Sequence, residues 1–270
     1  MIKVCAGCGN TFETSDIRQT QCKKDCGRTS HHQARTQKRE AHETQFVGVD
    51  GEGCGEGIDH RYVLLGVGSD QISDANGLTH NDIFPFLWES FTANPDAAFV
   101  GYFLGYDFTQ WLRSLPANRG WYLFSKEGQA KRRRRSRVRL DPFPVEHQGW
   151  EFDLLGDKRF KLRPANDKRW LWICDSGPFF QCSFLKAINP KDWPQPICTE
   201  DEYVLLEQGK ANRSSAALDR EMCRYNSLEN ELLARLMGRL DSGFTSIGIR
   251  LRKNQWFGPG QAAQAWLRQQ

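Results

Sequence analysis

The chain has 270 residues, 39% of them hydrophobic and 12% aromatic, including nine Trp and seventeen Phe. That length makes one large domain or two modest ones, and the aromatic content excludes disorder over most of it. Net charge is only +4, no stretch reaches the roughly 20 apolar residues of a membrane span, and the opening MIKVCAGC is not an apolar targeting segment, so a cytoplasmic protein without a membrane partner is expected.

Nine cysteines is an odd number, and in a reducing compartment it favours metal binding over a disulfide framework. Four of them fall in residues 1–30. Cys5-x2-Cys8, a 13-residue gap and Cys22-x3-Cys26 give two thiolate pairs, the spacing of a closed tetrahedral zinc site. So short a segment has too little apolar content to fold without such a staple. The alternatives are four unrelated buried cysteines, or His31 or His32 as a ligand in place of Cys26. The segment resembles small treble-clef or ribbon zinc fingers, which implies one structural zinc. Residues 31–45 are polar and read as a linker, or as an arm whose Arg35, Lys38 and Arg39 contact phosphate.

From Phe46 the pattern becomes globular. A strand is expected over 46–52 and its antiparallel partner over 61–68, then a helix over 81–91. The apolar run AAFVGYFL (97–104) reads as a buried strand. A helix over 107–115 carries Phe108, Trp111, Leu112 and Leu115 on one stripe. Strands and turns are expected through 119–174, including a strand over 169–174 (RWLWIC). Pro190, Pro194 and Pro196 mark an irregular connection. A long helix should run from about 215 to 240, and the tail at 256–270 reads as a hinge or junction. Within the 119–174 insertion, Lys131, Arg132, Arg133, Arg134, Arg135, Arg137 and Arg139 form a basic run. It reads as a nucleic-acid contact, with Phe143, Trp150 and Phe152 available to stack on bases, or as a charged loop tip.

Acidic residues carry the chemistry. Side chains alternate along a strand, so Asp50 and Glu52 in FVGVDGEG project to the same side. Two like charges so close repel unless a cation neutralises them. The pair is a metal platform or a solvent-facing turn. Asp107, where strand gives way to helix, is an N-cap or a further ligand. On the long helix Glu229 falls within the apolar stripe of Tyr225, Leu228, Leu232, Leu233 and Leu236. A carboxylate there is costly unless paired or metal-bound. Glu221 shares the face as a rival.

FVGVDGEG (46–53), FVGYFLGYDF (99–108) and YNSLENELL (225–233), in this order, resemble the three exonuclease motifs of the DEDD superfamily. The proofreading domain of family B DNA polymerases, in the protein-primed type of phages and linear plasmids, is the particular likeness. ICDSGPFF (173–180) and WFGPGQAAQAWL (256–267) also resemble segments of that family. The resemblance implies an RNase H-like α/β fold over 46–255, a mixed sheet flanked by helices. It implies 3′→5′ hydrolysis of DNA from single-stranded or frayed 3′ ends. Two Mg2+ or Mn2+ ions would be held by Asp50, Glu52, Asp107 and Glu229, with Tyr225 orienting the attacking water. Two departures stand out. The family's fourth carboxylate is normally Asp, not Glu, and its second motif carries an Asn where Gly101, Tyr102 and Phe103 lie here. No polymerase motif follows, which implies a module acting alone or beside a separate polymerase subunit. The competing readings are a nucleic-acid-binding protein with a degenerate nuclease fold, or another RNase H-like endonuclease or recombinase.

Overall fold

A computed structural model describes residues 2–5, 11–15, 44–135, 144–212 and 218–268. The chain divides into two compact units, residues 1–43 and 44–270. In the first, β1 (Ile2–Val4) pairs antiparallel with β2 (Thr11–Glu13), Lys3 opposite Phe12. Cys5 is buried directly after β1. Cys8, Cys22, Cys26, His31 and His32 lie outside the described residues, so the expected zinc site does too.

The second unit is an α/β layer built on an eight-stranded mixed sheet of order β5-β4-β3-β6-β10-β9-β8-β7. Its strands are β3 (Phe46–Cys54), β4 (Arg61–Val67), β5 (Asp70–Ser73), β6 (Ala98–Gly101), β7 (Val145–His147), β8 (Trp150–Leu154), β9 (Arg159–Pro164) and β10 (Leu171–Asp175). β6 is parallel to β3 on one side and to β10 on the other, and the remaining pairs are antiparallel. The central strands are apolar on both faces, as strands covered from both sides must be. Val47, Val49, Phe99, Leu171 and Ile173 face one core. Phe46, Ala98, Val100 and Cys174 face the other.

The first core is closed by α1 (His80–Ala93), α2 (Gly105–Arg113) and α3 (Ala117–Phe124), through Phe84, Trp111 and Leu123 among others. α1 starts where Thr79 and Asp82 form a capping box, the Thr79 amide donating to Asp82 Oδ2 at 2.9 Å. The second core is closed by α6 (Phe184–Ala187), α7 (Glu200–Asn212) and the 27-residue α8 (Arg220–Ser246). Asp219 caps α8, accepting from the Met222 amide at 2.8 Å. The helix outruns its expected end at 240 by six residues and stops before Gly248, whose left-handed φ of 79° suits a helix exit.

Two expectations are corrected. Residues 117–135 are helical rather than stranded. α4 (Lys126–Arg135, KEGQAKRRRR) has no apolar periodicity to read, yet its Lys, Glu, Gln, Ala and Arg are good helix formers. The tail is not a hinge. Trp256 is fully buried, edge-on to Phe46 at 4.9 Å, and α9 (Pro259–Leu267) packs Ala262 and Ala265 against Ile249. A short α5 (Gly177–Phe180) follows β10. No helix among the described residues is long and apolar enough to cross a membrane.

Candidate metal centre

β3 delivers Asp50 and Glu52 to the side of the sheet that α8 covers. α8 returns Glu229 to the same place. Each of the three offers a carboxylate oxygen, and these oxygens lie within 4.8 Å of one another. Glu52 and Glu229 are only 4% and 5% exposed, so this is a buried concentration of negative charge rather than a solvated turn. Glu221, the rival on α8, is exposed and plays no part.

This convergence rests on close packing. A Cβ on Gly48 would sit 2.2 Å from the backbone oxygen of Asn230, so only glycine lets α8 lie this near β3. Asn226, one helical turn before Asn230, is fully buried. Its Nδ2 donates to the Asp50 carbonyl at 3.0 Å and to Asp50 Oδ2 at 3.3 Å, and its Oδ1 accepts from Gln71 Nε2 at 2.9 Å. These amides hold the first acid's strand to the third acid's helix. Sequence reasoning passed them over, because an Asn within an apolar helix stripe reads as a break in it.

Asp107 lies in the first turn of α2, not at its N-cap, which is Leu104. It is buried and lines the same cleft, of about 570 Å³, but does not join the 4.8 Å set. Its Oδ1 accepts from the Tyr62 hydroxyl at 2.9 Å, and that hydroxyl accepts from Trp111 Nε1 at 2.9 Å. Burial and the neighbouring Asp107 push the Tyr62 phenol well above its usual range, so it stays a donor to Asp107. The Tyr62 ring reaches there only because Gly51 has no side chain, a Cβ there falling 1.7 Å from the Tyr62 oxygen.

Tyr225 does not line the cleft. It packs in the second core against Gly209 of α7. Polar groups beside the acids that do line it include Glu56, Ser183, His60, whose Nε2 is 2.7 Å from the Tyr106 hydroxyl, and Lys210, whose Nζ lies 3.5 Å from Glu229 Oε1. Tyr102, Phe103 and Phe184 supply apolar wall. No family model, curated protein or solved structure matches this chain, so geometry and chemistry carry the functional reading.

Asp175, at the end of β10, sets the shape of that wall. Its Oδ1 accepts from the amides of Phe103 at 2.7 Å and Gly177 at 3.0 Å. Phe103 is thereby pinned in the left-handed region, φ 59°, a conformation a bulky residue adopts only under constraint. Burial raises the Asp175 carboxyl to about 6, against the pull of those amides. Between pH 4 and 6 the folded chain then holds a proton that the unfolded chain has released, so this group's contribution to stability falls as pH rises. Asp175→Asn keeps an oxygen acceptor and removes the titration. The variant's unfolding free energy, relative to the parent's, is expected to rise by on the order of 2–3 kcal/mol from pH 4 to pH 7. Urea melts at several pH values measure this, and a pH-independent difference would contradict it.

The basic run divides. Arg132 is buried and ion-paired to Asp153 at 2.6 Å, so it braces α4 on the sheet and is withdrawn as a nucleic-acid contact. Lys131 is exposed, 6.0 Å from the ring centroids of Trp121 and Tyr122. The side chains of Arg133, Arg134 and Arg135, and residues Arg137, Arg139 and Phe143, lie outside what the structure describes. Phe152 is fully buried and is not a stacking platform, while Trp150 is half-buried and packs on Phe84.

Proposed function

We propose that this chain is a metal-dependent 3′→5′ exonuclease acting on DNA, with the RNase H-like architecture of a family B proofreading module. One observation carries the reading: Asp50, Glu52 and Glu229, nearly 180 positions apart in sequence, bring oxygens within 4.8 Å in a buried cleft. A helix-flanked mixed sheet with β3, β6 and β10 parallel at its centre supports it. All-oxygen donors suit a hard divalent cation, Mg2+ or Mn2+, and suit zinc or copper poorly. Bound there, such ions would supply an activated water and charge stabilisation at the leaving oxygen.

The chain's own groups have separable tasks in this reading. Asp50, Glu52 and Glu229 hold the metal, and Asp107, oriented by Tyr62, faces the cleft as the fourth acid. Lys210 neutralises part of the Glu229 charge and is placed to meet a phosphate. Phe103 and Tyr102 form the wall against which a terminal base would rest. The zinc-finger reading of Cys5, Cys8, Cys22 and Cys26 stands beside this as part of the proposal.

The position of Asp107 outside the close set, and the Lys210–Glu229 pair inside the cleft, favour a second reading: a nucleic-acid-binding protein that no longer hydrolyses. Digestion of a 3′-labelled single strand separates the two. With Mg2+ or Mn2+ the label is expected to leave as a mononucleotide, with chelator it should stay, and circular single strands should survive. Absence of metal-dependent release would leave only the binding role, and cutting of circles would move the chain to the endonuclease class.

A further inference from the structure

Beyond the helices that cover β3, β6 and β10, the same face of the sheet continues over β9 and β8 with a different surface. Arg159, Lys161 and Arg163 alternate along β9, and Trp170 and Trp172 flank Leu171 at the start of β10. Trp172 is opposite Lys161 in the register, so these side chains share a face, while Phe160, Leu162 and Leu171 point to the first core. Rings and cations interleave along it. Arg159 lies 5.3 Å from Phe257 and 4.4 Å from Trp172, Lys161 lies 5.4 Å from Trp172 and 4.8 Å from Trp170, and Arg163 lies 4.3 Å from Trp170. Both Trp residues, Arg159 and Arg163 are half-exposed.

We propose that this ring-and-cation strip binds single-stranded DNA, separately from the acidic cleft. Four features of the strip support that occupant. Alternate residues on a strand are spaced by about 7 Å, so the strip offers charges and flat surfaces at a regular interval along one line. The charge is complementary: three cations on β9 (Arg159, Lys161, Arg163) meet two acids, Glu151, which pairs with Arg163, and Asp153, which Lys161 shares with the buried Arg132. Arg159 and Arg163 are already ordered over rings, so little side-chain freedom is lost when a phosphate arrives, and the buried Lys161 lies between them. Unstacked bases can lie on the half-buried Trp rings and the guanidinium planes over them, whereas duplex bases are already stacked and cannot.

The test is binding without hydrolysis, using the full chain in chelator and a fluorescent oligo-dT probe followed by anisotropy. Trp170→Ala and Trp172→Ala are each expected to weaken binding by about tenfold or more, with Gly238→Ala, at an open position on α8, close to the parent. A blunt duplex should compete poorly. Parental affinity in both Trp variants, or equal competition by duplex, overturns the proposal. Photocrosslinking of an iodouracil-substituted strand to the unaltered chain covers the case in which a Trp variant misfolds. Crosslinks on the peptide holding Trp170 and Trp172 support the strip, and crosslinks confined to other peptides overturn it. Because no step requires cleavage, the result stands apart from the nuclease reading.

Discussion

Asp50→Ala is expected to reduce metal-dependent release of 3′ nucleotides by more than about 100-fold while leaving the fold intact. The fold should survive because Asp50 contributes to it mostly through its backbone. Its carbonyl accepts from Asn226 Nδ2 at 3.0 Å, a bond the alanine variant retains, while the longer 3.3 Å contact to Oδ2 is lost. In the absence of metal the variant should be as stable as the parent or slightly more so. Like charges at about 4.8 Å repel by roughly 3 kcal/mol at an effective dielectric near 20, and one of three such charges is gone. With metal the order should reverse. A ligand that binds only the folded state raises its stability by mass action, so Mn2+ should raise the parent's Tm and leave the variant's almost unchanged. Glu229→Gln should behave alike, since it keeps the side chain's size and removes its charge. Parental hydrolysis in either variant, or an equal Mn2+ shift in all three proteins, would show that the acids do not share an ion.

The acids were legible in sequence because each obeys a periodicity. Alternation on a strand puts Asp50 and Glu52 on one side, and Glu229 interrupts an apolar helix stripe where a charge needs a reason. Tyr225 obeys the same stripe, and the likeness to the exonuclease motifs implies a place for it in the cleft. Four residues are one turn plus 40°, however, and that offset with the shift along the axis leaves Tyr225 against Gly209 while Glu229 meets the cleft. Helix periodicity names a face and not the neighbour it meets. The strand pair 46–52 and 61–68, the helix at 81–91 and the long C-terminal helix were legible for the same reason, with ends shifted by caps and by Gly248. Lys210, Asn226, Asp175 and the Trp–Arg strip were not. Lys210 sits in a helix of little amphipathic pattern, Asp175 and Asn226 matter through partners 72 and 176 positions away, and the strip forms only once β9 and β10 are set in register. The helices over 117–135 were missed because a basic run is read first as charge and only then as backbone propensity.

Gly48→Ala is expected to have the largest structural effect of any single methyl group added at this site. The new Cβ would lie 2.2 Å from the Asn230 backbone oxygen and 2.8 Å from its carbonyl carbon and Cα. No side-chain rotation relieves that contact, because every atom in it belongs to the spine of α8. Either β3 or α8 must move by about 1 Å. Overpacking of this kind costs typically 1–3 kcal/mol, and a backbone-to-backbone clash belongs at the upper end. For a unit of this size that is a fall in Tm of roughly 6–12 °C. The same displacement separates Asp50 and Glu52 from Glu229, and a misplacement near 1 Å costs on the order of 100-fold in rate. Hydrolysis should therefore be lost at temperatures where the variant is still fully folded, with Mn2+ stabilisation weakened in parallel. Gly238→Ala is the matched control. It lies on the same helix with nothing within 4 Å of its would-be Cβ, so it should keep parental activity and gain up to about 1 kcal/mol from helix propensity. Matching melting curves and rates for the two variants would mean that β3 and α8 do not meet at Gly48, and the convergence of the three acids would lose its support.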